Sequence, residues 1–157
     1  MIIFARIAYY TVAAVLIGCA AVSDVKKNIV RNIYPALIAL CGVLLVIFEY
    51  LYSGAIASVI FAVSGAFIGF ALTAIPAMKG GIGGADVKLS AAAGIAEGLP
   101  GILIFMLFTF MPAALFMIGK GVAKKVRRGA ELDLKASLPL VPFMLFGITA
   151  CVLYYFI

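Results

Sequence analysis

The sequence predicts an all-α membrane protein: a bundle of six transmembrane helices with a short fourth helix and both termini outside the cytoplasm. Three observations carry this expectation. The 157 residues are 67% hydrophobic and only 11% charged, with a mean hydropathy of +1.29, a balance foreign to soluble domains. The apolar residues come in runs of about 20, the length that crosses a hydrocarbon core of about 30 Å. Between those runs the cations gather in alternate connections, as they do when one side of the membrane is cytoplasmic. The length suits a single polytopic domain, residues 1–157, with no repeat array or low-complexity tail.

The elements follow in order. A first apolar run extends from Phe4 to Val22 and is closed by the polar segment "SDVKKNIVRN", residues 23–32. A second runs from Ile33 to Tyr52, and after the turn "SGA" a third covers Ala55 to Met78. The third carries Gly65 and Gly69 at GxxxG spacing, which lets a neighbouring helix approach closely. A glycine-rich break, "MKGGIGGAD", precedes a small-residue stretch from Val87 to Ala96, which the segment "EGLPG" is expected to end. A dozen residues rise roughly 18 Å, too little to span, so this fourth helix needs one end in a water-accessible recess. A fifth run spans Ile102 to Ile118, a basic loop follows, and a sixth runs from Leu138 to Ile157.

Lys26, Lys27, Arg31, Lys79, Lys88, Lys120, Lys124, Lys125, Arg127, Arg128 and Lys135 all fall on one side of this topology, and Arg6 alone on the other. The crowded side is cytoplasmic by the positive-inside rule, so the net charge of +6 calls for no nucleic-acid partner. The basic run "KKVRR" orients the bundle or touches anionic lipid. "LIGC", residues 16–19, has the look of a lipidation signal, but the flanking charges have the reverse bias of a secretory leader. Cys19, Cys41 and Cys151 lie in apolar runs with no CxxC pair, and read as packing residues.

With no histidine, the chain builds neither a Ser-His-Asp triad nor an HExxH zinc site, and it has no phosphate-binding GxxxxGK loop. A Ser-Lys dyad from Lys88 and Ser90 fails on spacing, because residues two apart face different sides of a helix. No metal or cofactor is expected. Six carboxylates remain. Glu49 and Glu97 sit in or beside turns on the outer side, where solvation explains them, and Glu131 and Asp133 balance charge in the basic loop. Asp24, where the first helix finishes, and Asp86, where the fourth begins, share a depth and a face. Each alone reads as an interfacial acid. Together they mark a functional path, since ionisable groups at membrane depth are expensive.

Two neighbouring carboxylates suit hydrolysis by activated water: like charges do not both ionise cheaply, so the pair holds one proton, one member acting as base and the other as acid. Helix polarity assigns the base to Asp86, at the positive end of its own helix, and the acid to Asp24, at the negative end of the first.

These residues carry a resemblance. "GGADVKL" (Gly83 to Leu89) after a third apolar helix, and "SDVKKNIVRN" after the first, resemble the two signature segments of the type IV prepilin peptidases, intramembrane aspartic proteases of the GxGD class. "LPLVPFMLFG", residues 138–147, is similar to the proline-rich start of that family's last helix. The resemblance implies that Asp24 and Asp86 are catalytic. It also implies a substrate class, prepilins or pseudopilins whose basic leader is cut at the cytoplasmic face of the bacterial inner membrane. Larger members carry a domain with CxxC motifs associated with N-methylation; this chain resembles the compact form, so peptidase activity is expected and methylation is not. The family's glycine before the second aspartate is Ala85 here, and its Ile-Pro-Asn reads Val30, Arg31, Asn32.

Supporting roles fall to neighbours. Gly80, Gly81, Gly83 and Gly84 mark a turn or admit a close backbone approach. Lys88 helps hold a carboxylate ionised, or its stem snorkels to the interface. Asn32 orients a carboxylate or caps the second helix. Substrate and membrane lipid are the expected partners. The rival reading is a small proton- or ion-coupled transporter using the same aspartates as a relay; against it, no other intramembrane carboxylate continues toward the outer side.

Overall fold

The computed structural model describes residues 1–27, 30–128 and 140–157. Among them there are only helices: α1 (Ile2–Lys27), α2 (Ile33–Ser53), α3 (Ala57–Met78), α4 (Gly84–Arg128) and α5 (Val141–Phe156). The side chains of Lys26, Lys27 and the basic run 124–128, together with Glu131, Asp133, Lys135, Leu138 and Pro139, lie outside the described residues.

The expected six transmembrane helices are not what the structure contains. Four helices are long and apolar enough to cross a membrane, and α5 is a shorter apolar one. The difference lies in α4, which joins two helical stretches, 84–97 and 99–128, at Gly98: "EGLPG" does end a helical stretch, as expected, but with no loop between it and the next. Only Gly98 leaves helical geometry there, with φ 63° and ψ −172°, a backbone state that glycine adopts without a Cβ penalty. Pro100 falls in the first turn after this break, where its missing N–H deprives no helical carbonyl of a partner. A Cβ placed on Gly69 of α3 would meet both Ser90 and Ile102. The two stretches of α4 thus lie side by side and the chain folds back at Gly98.

Packing of α3 on α4 bears out the GxxxG reading. A Cβ on Gly65 would strike the carbonyl oxygen of Gly94, and one on Gly69 would come 2.5 Å from that of Ser90. Lipid tails are as apolar as leucine, so helices in a membrane associate through such close van der Waals contact. The core between the helices is filled by Ile17, Ile38, Leu89, Ile102, Phe105 and Met144, all buried. Large apolar side chains such as Phe4, Leu51 and Phe67 project outward, which suits a lipid surround and would burden a soluble fold. The three cysteines are free, with Cys151 buried, Cys41 half-buried and Cys19 exposed.

Candidate active site

The glycine break between α3 and α4 is an ordered pair of helix ends. Gly80 takes φ 76°, and the amides of Gly80 and Gly81 donate to the carbonyls of Ala77 and Pro76 at 3.0 Å each, the paired bonds of a Schellman stop. Three residues later α4 begins, with Gly83 in the capping position. Asp86 occupies the third helical position, and its Oδ2 accepts the Gly83 amide at 3.2 Å. This is the backward half of a capping box, in which an acid one turn into the helix satisfies an amide at its entrance. Asp86 is only 5% exposed, so the carboxylate is turned into the bundle.

Asp24 lies in the last turn of α1, half-buried, and reaches the same end of the bundle. The backbone amide of Val141, the first residue of α5, is directed at its carboxylate, while its Oδ2 is buried with no partner among the described residues. The bond from Lys88 of α4 to Asn32, five residues beyond the last residue of α1, sets the end of α1 and the start of α4 at the same end of the bundle. Helices α1, α4 and α5 thus converge their ends on two carboxylates far apart in sequence. The polarity expected to distinguish the pair is revised by this geometry. Asp24 does sit at the negative end of α1, but the N-terminus of α5 faces it, so both carboxylates meet helix-terminal amides.

Among the flanking residues, Ala85 is half-buried in the first turn of α4, where alanine is at ease and the family glycine is not required by backbone geometry. A Cβ on Gly83 would lie 3.3 Å from Asp86 Oδ2, whereas one on Gly84 would meet open space. Lys88 is exposed and Ser90 is buried, facing different sides as their spacing predicts. Lys88 Nζ donates to Asn32 Oδ1 at 3.0 Å. Asn32 stands at the N-cap of α2 but makes no side-chain capping bond, a correction to the capping reading: its oxygen is engaged by the lysine, which ties the starts of α2 and α4 together.

Sequence reasoning missed Glu97, which it assigned to solvent beside a turn. It is 1% exposed; its Oε2 accepts the Tyr10 hydroxyl at 2.9 Å and its backbone oxygen accepts the Tyr155 hydroxyl at 2.7 Å. The fold-back at Gly98 leaves no exposed turn at this point, which turns the carboxyl inward. Glu49, read the same way, is ion-paired with Arg6 at 2.7 Å. The periodicity held a signal: residues 86, 90, 93 and 97 fall on one face of a helix at 100° per residue, so the buried stripe that begins at Asp86 ends at Glu97. An intramembrane carboxylate does therefore lie toward the far end, contrary to expectation. The side chains between them on that face are Ser90 and Ala93.

The model of the type IV leader peptidase family matches residues 11–118, a span that holds both aspartates and well over half of the chain. The chain belongs to the type IV leader peptidase family. It is thus a protease of the leader-peptidase kind, carried on several membrane-crossing helices. No curated protein and no solved structure matches it.

Proposed function

We propose that this chain is an intramembrane aspartic endopeptidase that removes the basic leader from type IV prepilin or pseudopilin precursors at the cytoplasmic face of the bacterial inner membrane. The observation that carries the reading is that Asp24, in the last turn of α1, and Asp86, in the first turn of α4, lie at one end of the bundle, in a member of a leader-peptidase family.

The chemistry follows from a pair sharing one proton. The ionised carboxylate takes a proton from water as the water oxygen attacks the scissile carbonyl carbon, and the protonated partner gives its proton to the carbonyl oxygen. The tetrahedral diol collapses as the C–N bond breaks, and the leaving amine collects a proton from the pair. The Gly83 amide holds the Asp86 carboxylate in place, and the buried setting strengthens the interaction between the two acids. The basic leader is held on the cation-rich side, and the apolar helix behind it stays in lipid.

The test is cleavage of a prepilin in liposomes, with products mapped by mass spectrometry. Wild type is expected to cut once, at the junction of leader and apolar helix. Asp24→Asn and Asp86→Asn are expected to leave the precursor intact, and full cleavage by either variant contradicts the proposal.

A further inference from the structure

At the end of the bundle opposite Asp24 and Asp86 lies a second buried polar cluster, to which leader cleavage assigns no role. Arg6 Nη2 of α1 is ion-paired with Glu49 Oε1 of α2 at 2.7 Å, and its guanidinium stacks 4.2 Å over the ring of Tyr155 from α5. Glu97 of α4 receives the Tyr10 hydroxyl on one oxygen. Arg6, Glu49, Glu97 and Tyr155 line a common cavity of about 220 Å³, room for roughly seven waters at about 30 Å³ each. Three buried atoms of its lining residues have no hydrogen-bond partner among the described residues: Arg6 Nη1 on the cationic side, and Glu49 Oε1 and Glu97 Oε1 on the acidic side. Leaving such groups unpaired is costly; water satisfies each separately, whereas a lone cation or a lone anion serves only one side. A zwitterion serves both, its anion on the guanidinium and its ammonium on the carboxylate.

Position selects the source. Arg6 is four residues inside the start of α1 and Glu49 four before the end of α2, each roughly 6 Å from the helix end. The 21 residues of α2 rise roughly 31 Å against a hydrocarbon core of about 30 Å, so the pair lies just inside the interface, about one helical turn from the phospholipid headgroups. Ser58, Phe61 and Pro100 also line the cavity, and Phe61 and Pro100 are exposed on the outer surface of the bundle, so part of its rim is lipid-facing. We infer that the Arg6–Glu97 cavity is a binding site for the phosphoethanolamine headgroup of a membrane phospholipid, the phosphate held by Arg6 Nη1 and the ammonium by Glu97 Oε1. The cavity is lined by all five helices, and Arg6 and Tyr155 lie outside the family-matched span.

The experiment is lipid retention by the purified full chain, delipidated in detergent and offered equal amounts of phosphatidylethanolamine, phosphatidylcholine and phosphatidylglycerol, then read by native mass spectrometry. Wild type is expected to retain one phosphatidylethanolamine at least about tenfold over phosphatidylglycerol, the scale of one charge-assisted contact. Phosphatidylcholine, whose quaternary ammonium donates no N–H, is expected to be retained less well than phosphatidylethanolamine. The preference is expected to vanish in Glu97→Gln. It is also expected to vanish in Ser58→Leu, which fills the cavity mouth while leaving every charged group in place and guards against loss by misfolding. Equal retention of the lipids by wild type would overturn the inference, as would a preference unchanged in both variants. Displacement of the lipid by equimolar free phosphoethanolamine would also overturn it, because the site would then belong to a soluble solute.

Discussion

At the scale of single residues, the site depends on where a carboxylate oxygen can sit. Asp86 is held by one bond to the Gly83 amide, and a methyl group on Gly83 would press to 3.3 Å from that same oxygen. Gly83→Ala is therefore expected to displace the carboxylate by a few tenths of an ångström and to lower cleavage several-fold, on the order of what sub-ångström misplacement costs, with little change in thermal stability. Ala85→Gly, which restores the family residue, is expected to do the reverse. Its helical setting gains nothing from glycine, so cleavage stays near wild type while stability falls by about 0.5–1 kcal/mol. Parallel measurement of initial rates and unfolding midpoints in detergent checks both. The two aspartates were legible in the sequence because charges are scarce in an apolar chain and each stands at a helix end. Glu97 was not, because the partners that bury it, Tyr10 and Tyr155, lie 87 and 58 residues away.

At the scale of elements, the sequence reading located the apolar runs well and counted them differently. Runs of about 20 residues are read from composition alone, and α2 and α3 begin and end within a residue or two of expectation. The junction after Glu97 was the hard case: glycine and proline in "EGLPG" signal a stop, yet one glycine with positive φ re-aims the chain without any loop. The α3–α4 seam rests on Gly65 and Gly94, where a Cβ on either would strike the backbone of the other. Gly94→Val is thus expected to force the helices apart and to destabilise the fold by about 1–3 kcal/mol, a large fraction of a total of about 5–15 kcal/mol. Equilibrium unfolding in mixed detergent reads this, and an unchanged midpoint would mean that the helices do not meet as described.

At the scale of the whole molecule, the two ends of the bundle differ in chemistry. One end gathers Asp24, Asp86, Lys88 and Asn32; the other gathers Arg6, Glu49 and Glu97. The proposed orientation, taken from the distribution of cations, sets the aspartate end in the cytoplasm. In a background with Cys19, Cys41 and Cys151 replaced by alanine, Ser53→Cys is expected to react with a membrane-impermeant maleimide in intact spheroplasts. Lys79→Cys is expected to react only after permeabilisation. The opposite pattern would place the aspartates outside and remove the cytoplasmic leader as a substrate.

The central claim is that Asp24 and Asp86 act as one catalytic unit, and groups that act as a unit are grossly non-additive when removed. The most direct measurement is kcat/KM for prepilin cleavage by wild type, Asp24→Asn, Asp86→Asn and the double variant, all in the same liposomes. The paired mechanism predicts that either single substitution lowers the rate to the level of the double. Single losses that multiply in the double variant, or a single variant that retains wild-type cleavage, would contradict it.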